Sequence, residues 1–570
     1  MSSSSAAVQF NTSALRKDAV RIGSYLSNYL TDVGIVDPDK GEVQHHSYTT
    51  ATYSWLAAVL CIDDRSWTPL LIQALKAELD TLDEWWKSHL LLSQVPTFHW
   101  EFKNLALLHV YQQVKSQLPM ALRLRLQVAL THWHDLDIDS ANWTAMRLLN
   151  YTLRSQLFDL VGDGKRSRLE RNILLLRQTT GGLFPDKAHS HSTQYHAYVL
   201  ALIARSYQIN GDETLVEPLL RGLRFALRLI DPAGDFNYFG RGQRQIFGYG
   251  ALIYALRTGA LLTDDSREAG QMYLASETVR DFVMSHADTD GIPPIVLNHE
   301  RAGWYPYNLS GDYLVFYAIW TLLADELPVP ELKDKETTRD ITESTWIDED
   351  AGIVVVQREA WMAVFARGEA DDPAEPAGLV HLYPGQMTNL GYSQNPASAT
   401  VGPVLNGKVL LNQCKATLTA QDEAVLLSSR TEVGSLYQFY NFANGLALTQ
   451  DWKWNRTIAA EEYSPLLLFF TAEAPLNCDA QLLDRGTVLT AAGSKRQWSI
   501  DVYADDDGLV THSAQLIAAQ MSVNPGPLIR IPRGQRSISN FTYRVLRLAW
   551  VYMLRVYRRQ WHKYGQTHKE

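Results

Sequence analysis

Between Phe184 and Ala204 the chain reads FPDKAHSHSTQYHAYVLALIA, which places His189, His191, Tyr195 and His196 within eight positions at the start of an apolar run. A phenol can act as base and then as acid when a nearby cation or hydrogen-bond donor stabilises the phenolate, and imidazoles beside it can share the proton. The plainer alternative is that these side chains satisfy one another and cap a helix. A second constellation is Asn142 with Trp143 in NWTAMRLLNYTL. The amide can donate hydrogen bonds to a substrate carboxylate and so ease an enolate-like intermediate, and the indole can stack on a sugar ring. An Asn ahead of a helix is also a common N-cap. A third is YFGRGQRQ, which joins Tyr238, Arg241, Gln243 and Arg244 to Gly240 and Gly242. Glycine lets backbone approach a ligand closely, and arginine is a natural bidentate partner for carboxylate or sulfate, unless salt bridges to neighbouring helices use it.

These residues need a scaffold that gathers helix starts. Over the first 330 or so residues two kinds of helical segment alternate. Amphipathic ones run near 13–32, 67–87, 119–133, 165–179, 213–230 and 267–285; in the fifth, Leu219, Leu223, Leu227 and Ile230 share one face and Arg221, Arg224 and Arg228 the other. Each is followed by a nearly all-apolar segment with an aromatic and polar start, anchored at Tyr48, Trp100, Trp143, Tyr195, Tyr238 and Tyr305. Six outer and inner pairs suit an (α/α)6 toroid whose inner helices form the barrel, and their starts would then gather at one end as an aromatic, polar cleft. An open solenoid is the other architecture such repeats allow. Trp85, Trp86, Trp100, Trp143, Trp304 and Tyr307 are candidates for sugar contacts there, although core packing explains many buried aromatics.

From about Thr338 the pattern turns to alternating strand-like runs such as GIVVVQ, WMAVFARG and EAVLLSS, separated by Gly, Pro, Asn and Asp. They read as an antiparallel sandwich. The expected organisation is therefore an α+β multidomain chain: an (α/α)6 toroid of helical hairpins, complete or incomplete as a barrel, over 1–335, a β-sandwich over 336–536, and a basic helix over 537–570. That tail carries Arg544, Arg547, Arg555, Arg558 and Arg559, and it suits an anionic membrane surface, a protein partner or this protein's own surface.

Composition narrows the function classes. A net charge of −10 argues against capture of nucleic acid, which needs a basic face. The three cysteines are far apart and lack metal-ligand spacing, so neither a disulfide framework nor a zinc site is expected. No motif asks for a cofactor; a divalent cation stays open. The first residues, MSSSSAAVQFNTSALRKD, show no secretory pattern and no run of ~20 apolar residues occurs, so the expected location is the cytoplasm, with peripheral membrane attachment through the tail left open.

The architecture and motifs together resemble the toroid-plus-sandwich polysaccharide lyases: the heparinase II/III-like and alginate lyase group and, more distantly, the chondroitin and hyaluronan lyases. Ser192-Thr193-Gln194-Tyr195-His196 looks like the S-x-x-Y-H of the heparinase-like group, whose Tyr is the acid/base candidate. Asn142 resembles the neutralising Asn ahead of an inner helix, and Gly240 to Arg244 is similar to the RGR element of the chondroitin-type enzymes. His381, in GLVHLYPGQMTNLGY, is the best match for a sandwich-domain His that enters the site. The resemblance implies β-elimination on a uronic-acid polysaccharide or oligosaccharide, with Asn142 and Arg241 neutralising the carboxylate, Tyr195 or a neighbouring His (His191, His196) taking the C5 proton, and Tyr195 or Tyr238 protonating the leaving oxygen.

Two rival readings follow from the same residues. A glycoside hydrolase would use two of Glu42, Glu101, Asp186, Asp235 and Asp312, and a uronate C5-epimerase would share the proton abstraction without cleavage. A non-catalytic glycan-binding protein of exopolysaccharide biosynthesis or export is the other alternative.

Overall fold

The computed structural model describes residues 13–330, apart from 45, 89–98, 132–139, 161, 187–189 and 298–308, together with shorter runs between 343 and 517. All of them belong to one compact unit, Met1–Ala519. The junction near 335 and the basic tail over 537–570 lie outside the described residues.

Among the described residues, twelve α-helices alternate between an outer and an inner ring. The outer ones are α1 (Ala14–Ser27), α3 (Thr68–Ser88), α5 (Met120–Thr131), α7 (Asp163–Leu175), α9 (Val216–Leu229) and α11 (Ser266–Met284). The inner ones are α2 (Thr49–Asp63), α4 (Trp100–Val114), α6 (Ala141–Phe158), α8 (Thr193–Asn210), α10 (Ile246–Leu262) and α12 (Ser310–Asp325). Each inner helix packs on the next, and α12 returns to α2, so the ring closes and is a complete barrel.

The two helix types differ in the way their sequences require. In α9, Leu219, Leu223 and Ala226 are buried, whereas Arg224 reaches out to Glu268 of α11 at 2.6 Å. Burying each leucine contributes roughly 1.5–3 kcal/mol, and the arginine face stays in water. In α10 every residue from Ile246 to Ala260 is buried, as expected of a helix with protein on all sides. Helix starts are fixed locally: Ser13 accepts from the amide of Arg16, and Asp265 accepts from those of Arg267 and Glu268. At the barrel centre, Phe102 lies parallel to Tyr48 at 4.6 Å and to Tyr198 at 5.8 Å, and meets Trp143 edge-on at 5.7 Å.

The β part is antiparallel throughout. Strands Ser344–Asp348, Ile353–Gln357, Met362–Ala366 and Gly378–Tyr383 form one meander; a six-stranded sheet runs from Thr417–Gln421 through Ala424–Thr431, Gly434–Asn441, Leu446–Trp454 and Gln497–Ala504 to Val510–Ile517. Phe365 of the first sheet meets Tyr440 of the second at 4.6 Å, both fully buried, which is the facing-sheet contact of a sandwich. The meander also packs on the toroid: Ile353, Val355, Met362 and Val364 share a core with Leu183, Phe225, Leu229 and Tyr238. No helix among the described residues is long and apolar enough to cross a membrane.

Candidate active site

Ring closure brings the N-terminal turns of the inner helices to one end of the barrel, and five of the six line a small cleft. Its walls are Tyr48 of the α2 cap, His99 and Phe102 of α4, Gln194 and Tyr195 of α8, Phe247 of α10, and Asp312 and Tyr313 of α12. The convergence of five helix starts also places partial positive charge at this end.

Tyr195 is held by a loop built for the purpose. Ser192 caps α8 by accepting from the amide of Tyr195, and its hydroxyl donates to the carbonyl of Arg241 at 2.6 Å. Thr193 donates to the Phe239 carbonyl at 2.9 Å, and Gln194 donates to Gln245 at 2.9 Å. Gly240 and Gly242 both take positive φ, and a Cβ on Gly240 would stand 2.6 Å from Ser192 Cα, one on Gly242 2.5 Å from Gln194 Nε2. The two glycines thus let this loop press against the start of α8, where their spacing alone suggests approach to a ligand.

Between them, Arg241 lies with its guanidinium 4.7 Å from the Tyr195 ring centroid and binds Asp186 at 2.7 Å. Burial raises the Tyr195 pKa above that of an ordinary phenol and Asp186 adds to the rise; Arg241 and Gln194 pull it down. The phenol is therefore a proton donor at rest, with a cation placed to stabilise the phenolate. Asn142 stands close by along the chain of contacts: Asp186 accepts through its carbonyl from Ala141 N at 2.9 Å, and Ser140 donates to the Asn142 Oδ1, which leaves the Asn142 amide nitrogen as a donor. Trp143 packs edge-on against Phe102 of the cleft wall.

Several other sequence candidates are engaged elsewhere. His196 accepts at Nδ1 from Phe184 N and donates from Nε2 to the Gly222 carbonyl, both at 3.1 Å; burial lowers its pKa to about 4, so it is a neutral bridge between α8 and α9. His191 lies near the carboxylates of Asp348 and Glu369 at the β-meander. Tyr238 donates to the Leu229 carbonyl at 2.7 Å and lies flat on His381 at 3.9 Å, and His381 binds Asp231 at 3.0 Å. Arg244, with positive φ, binds Asp235 at 2.8 Å. Gln243 is buried, and Trp100 is wholly enclosed, which leaves its ring no face for a sugar. His189, Trp304 and Tyr307 lie outside the described residues, as does the side chain of Trp86.

Among the described residues, Asp231, Asp235 and His381 are the cluster whose ligand atoms lie close enough together for a metal, within 4.8 Å of one another. Asp235 already holds Arg244 and the Tyr249 hydroxyl, so a cation there would compete with a guanidinium.

Two further cleft groups stand out: Asp312, one of the carboxylates a hydrolase would use, and His99, which no motif marked. Asp312 accepts at Oδ1 from Thr49 Oγ1 at 2.7 Å and from Tyr48 N at 3.1 Å, and burial, with Asp37 adding, raises its pKa to about 7. His99 donates from Nδ1 to the His46 carbonyl at 3.2 Å and, through burial, has its pKa lowered to about 4.

No family model and no curated protein matches the chain. Among solved structures it is similar to the chondroitin AC lyase of Streptomyces coelicolor A3 in complex with chondroitin sulphate, with a TM-score of 0.52 at 9% identity over 90% of this chain and 77% of that one. The likeness shows the shared fold, a toroid followed by a β-domain. A variant of the α-1,6-mannanase GH76A of Salegentibacter sp. HEL1_6, in complex with α-1,6-mannotetrose (TM-score 0.43, 13% identity, 55% of this chain and 99% of that one), is too loose a match to carry weight. The same holds for a glycosyl hydrolase family 88 protein from Bacteroides vulgatus (0.40, 10%, 55% and 97%).

Proposed function

We propose that the chain is a polysaccharide lyase that cleaves a uronic-acid-containing polysaccharide by β-elimination. The observation that carries this reading is Tyr195, a phenol lining the cleft with the Arg241 guanidinium over its ring. The phenolate form takes the proton from C5 of the uronate, the C5 electrons form the C4=C5 bond, the C4–O bond breaks, and the departing oxygen receives a proton from the phenol. Arg241 stabilises the phenolate, and the Asn142 amide is the proposed donor to the substrate carboxylate, which would acidify C5. Without a strong base at rest, the reaction needs Tyr195 deprotonated in the bound complex, and substrate displacement of Asp186 from Arg241 would favour that.

The test is a panel of acidic polysaccharides assayed for an unsaturated product absorbing in the near ultraviolet. Activity on at least one member, lost by about 100-fold or more in Tyr195→Phe with folding intact, supports the reading. Unchanged turnover in the variant removes Tyr195 from the mechanism.

One observation favours a second reading. Asp312 lines the cleft with its pKa raised by burial, and a glycoside hydrolase requires a pair of carboxyls, one kept protonated by its surroundings. Cleavage to saturated reducing ends with no ultraviolet product would select it.

A further inference from the structure

Among the described residues, the walls of the cleft include a carboxyl group and no arginine or lysine: beside the aromatic rings stand Gln194, His99, the tyrosine hydroxyls and Asp312. His99 stays neutral above about pH 4. The buried Lys103 of α4 is paired with Glu78 at 2.7 Å, and Arg241, over the Tyr195 ring, with Asp186 at 2.7 Å. An acid group on a bound sugar would thus meet neutral donors and the positive ends of helices, and an ionised Asp312 would repel it.

Asp312 is built to avoid that repulsion. It is 3 % exposed, its Oδ1 is committed to Thr49 and Tyr48, and Oδ2 is the oxygen left for the cleft. Asp37, which accepts from Gly311 N at 2.9 Å, crowds it with a second carboxyl. Facing it are Tyr48 and Thr49 of α2, Asp37 and Asp39 of the turn before α2, His99 and Lys103 of α4, and Tyr195 across the cleft; α10 contributes Phe247. The charged contacts of α12 with α1, Arg16 and Ser13 on Asp325, are at its far end. Burial, with the Asp37 carboxyl adding to it, raises the pKa of Asp312 to about 7.

We infer that Asp312 in its acid form donates a hydrogen bond from Oδ2 to the carboxylate of the bound sugar, making it a substrate-binding residue. The inference rests on the reading of the cleft as a uronate site. A carboxylic acid kept neutral so that it can donate to a developing negative charge is a known catalytic device in other enzymes, and here it would stabilise both the carboxylate and the enolate-like intermediate.

The experiment measures binding of glucuronate, and of glucose as its uncharged counterpart, to the full chain by calorimetry or ligand NMR at about pH 6 and about pH 8.5. Glucuronate binding should weaken roughly thirtyfold across that interval, because the competent form falls tenfold per unit above its titration point. Glucose binding should not follow it. In Asp312→Asn, which keeps Oδ1 as acceptor and carries a permanent donor, glucuronate binding should be flat within about twofold. Glucuronate binding that is flat, absent or stronger at high pH in the unmodified chain overturns the inference, as does the same fall in Asp312→Asn or with glucose. If the variant fails to fold, the comparison of the two sugars on the unmodified chain decides alone. A chain that binds glucuronate in this manner and yields no unsaturated product keeps the inference and loses the elimination; one that yields product with flat binding does the reverse.

Discussion

The guanidinium of Arg241 stands 4.7 Å from the Tyr195 ring and 2.7 Å from Asp186, so one cation serves both a phenol and a carboxylate. The carboxylate weakens what the cation does for the phenol. Asp186 raises the Tyr195 pKa and Arg241 lowers it, against a background of burial that raises it further. Asp186→Asn keeps an oxygen for Arg241 and removes the charge. The Tyr195 transition, followed by NMR of ring-labelled tyrosine and assigned by its loss in Tyr195→Phe, should move to lower pH. The basic limb that reports proton abstraction should move with it. A transition that stays in place or rises shows that Arg241 and Asp186 do not set the acidity of this phenol.

Gly240 and Gly41 separate strain from collision. Both take positive φ, +78° and +72°, and a Cβ on Gly41 meets nothing within 4 Å. Alanine at Gly41 should therefore lower stability by about 1–2 kcal/mol, the left-handed strain alone. At Gly240 the same change drives a Cβ to 2.6 Å from Ser192 Cα, a backbone atom that cannot swing aside. Denaturant titration should show a larger loss for Gly240→Ala, and activity should fall with it because the loop carries Arg241. Equal losses at the two positions would mean that the α8 start gives way freely.

The toroid was legible because its signal is periodic and repeated: outer segments such as 213–230 put leucines on one stripe, and inner ones such as HAYVLALIARSY are apolar all round. Six copies leave little room for another architecture. The site was legible in part. Tyr195, Arg241 and Asn142 were marked by residue type near helix starts; Arg241 lies over the Tyr195 ring and binds Asp186, whose carbonyl accepts from Ala141 N beside Asn142. His196 and Tyr238 carry the same marks, and nothing local distinguishes an imidazole aimed at a cleft from one bridging Phe184 N and Gly222 O. That distinction depends on helix rotation within a closed ring. His99 was hidden for the converse reason, since its helix reads as an aromatic wall and its partner His46 comes from a turn remote in sequence from α4; Asp312 was legible only as one of several carboxylates, because Asp37, which helps raise its pKa, comes from that same remote turn.

Acid stability follows from three buried groups with opposite signs. His99 and His196 have folded pKa values lowered to about 4, so the unfolded chain binds their protons first; the stability they contribute is present above their ordinary pKa of 6.5 and is lost as pH falls toward 4. Each accounts for about 3 kcal/mol. Asp312, raised to about 7 from 3.8, runs the other way: the folded chain holds its proton first, and stability is gained as pH falls through 7 toward 4, by about 4 kcal/mol. From these three groups the chain should lose about 2 kcal/mol between about pH 7 and pH 4, and Asp312→Asn should lose more over the same range because the opposing contribution is gone. Thermal unfolding of both forms across that range measures it. A variant less sensitive to acid than the unmodified chain contradicts the assignment of the Asp312 proton.

Tyr238 offers the sharpest separation of structure from chemistry, since its phenol is the other candidate proton donor. Its hydroxyl donates to the carbonyl of Leu229, the last residue of α9, and so satisfies one of the carbonyls a helix end leaves without an internal partner. Its ring lies within 5° of parallel to His381, which in turn binds Asp231, so the residue clamps the end of α9 against the β-meander. Tyr238→Phe keeps the ring contact and leaves the Leu229 carbonyl unpaired in a buried place, which should lower stability by about 1–2 kcal/mol. Turnover at a temperature where both forms are folded should change by less than about twofold, because proton transfer depends on a donor within hydrogen-bond reach of the substrate and this hydroxyl is already directed at backbone. Stability read from denaturant titration and turnover read from product absorbance must therefore separate. If turnover collapses while stability holds, the hydroxyl leaves Leu229 during the reaction, and Tyr238 takes the acid role that the geometry gives to Tyr195.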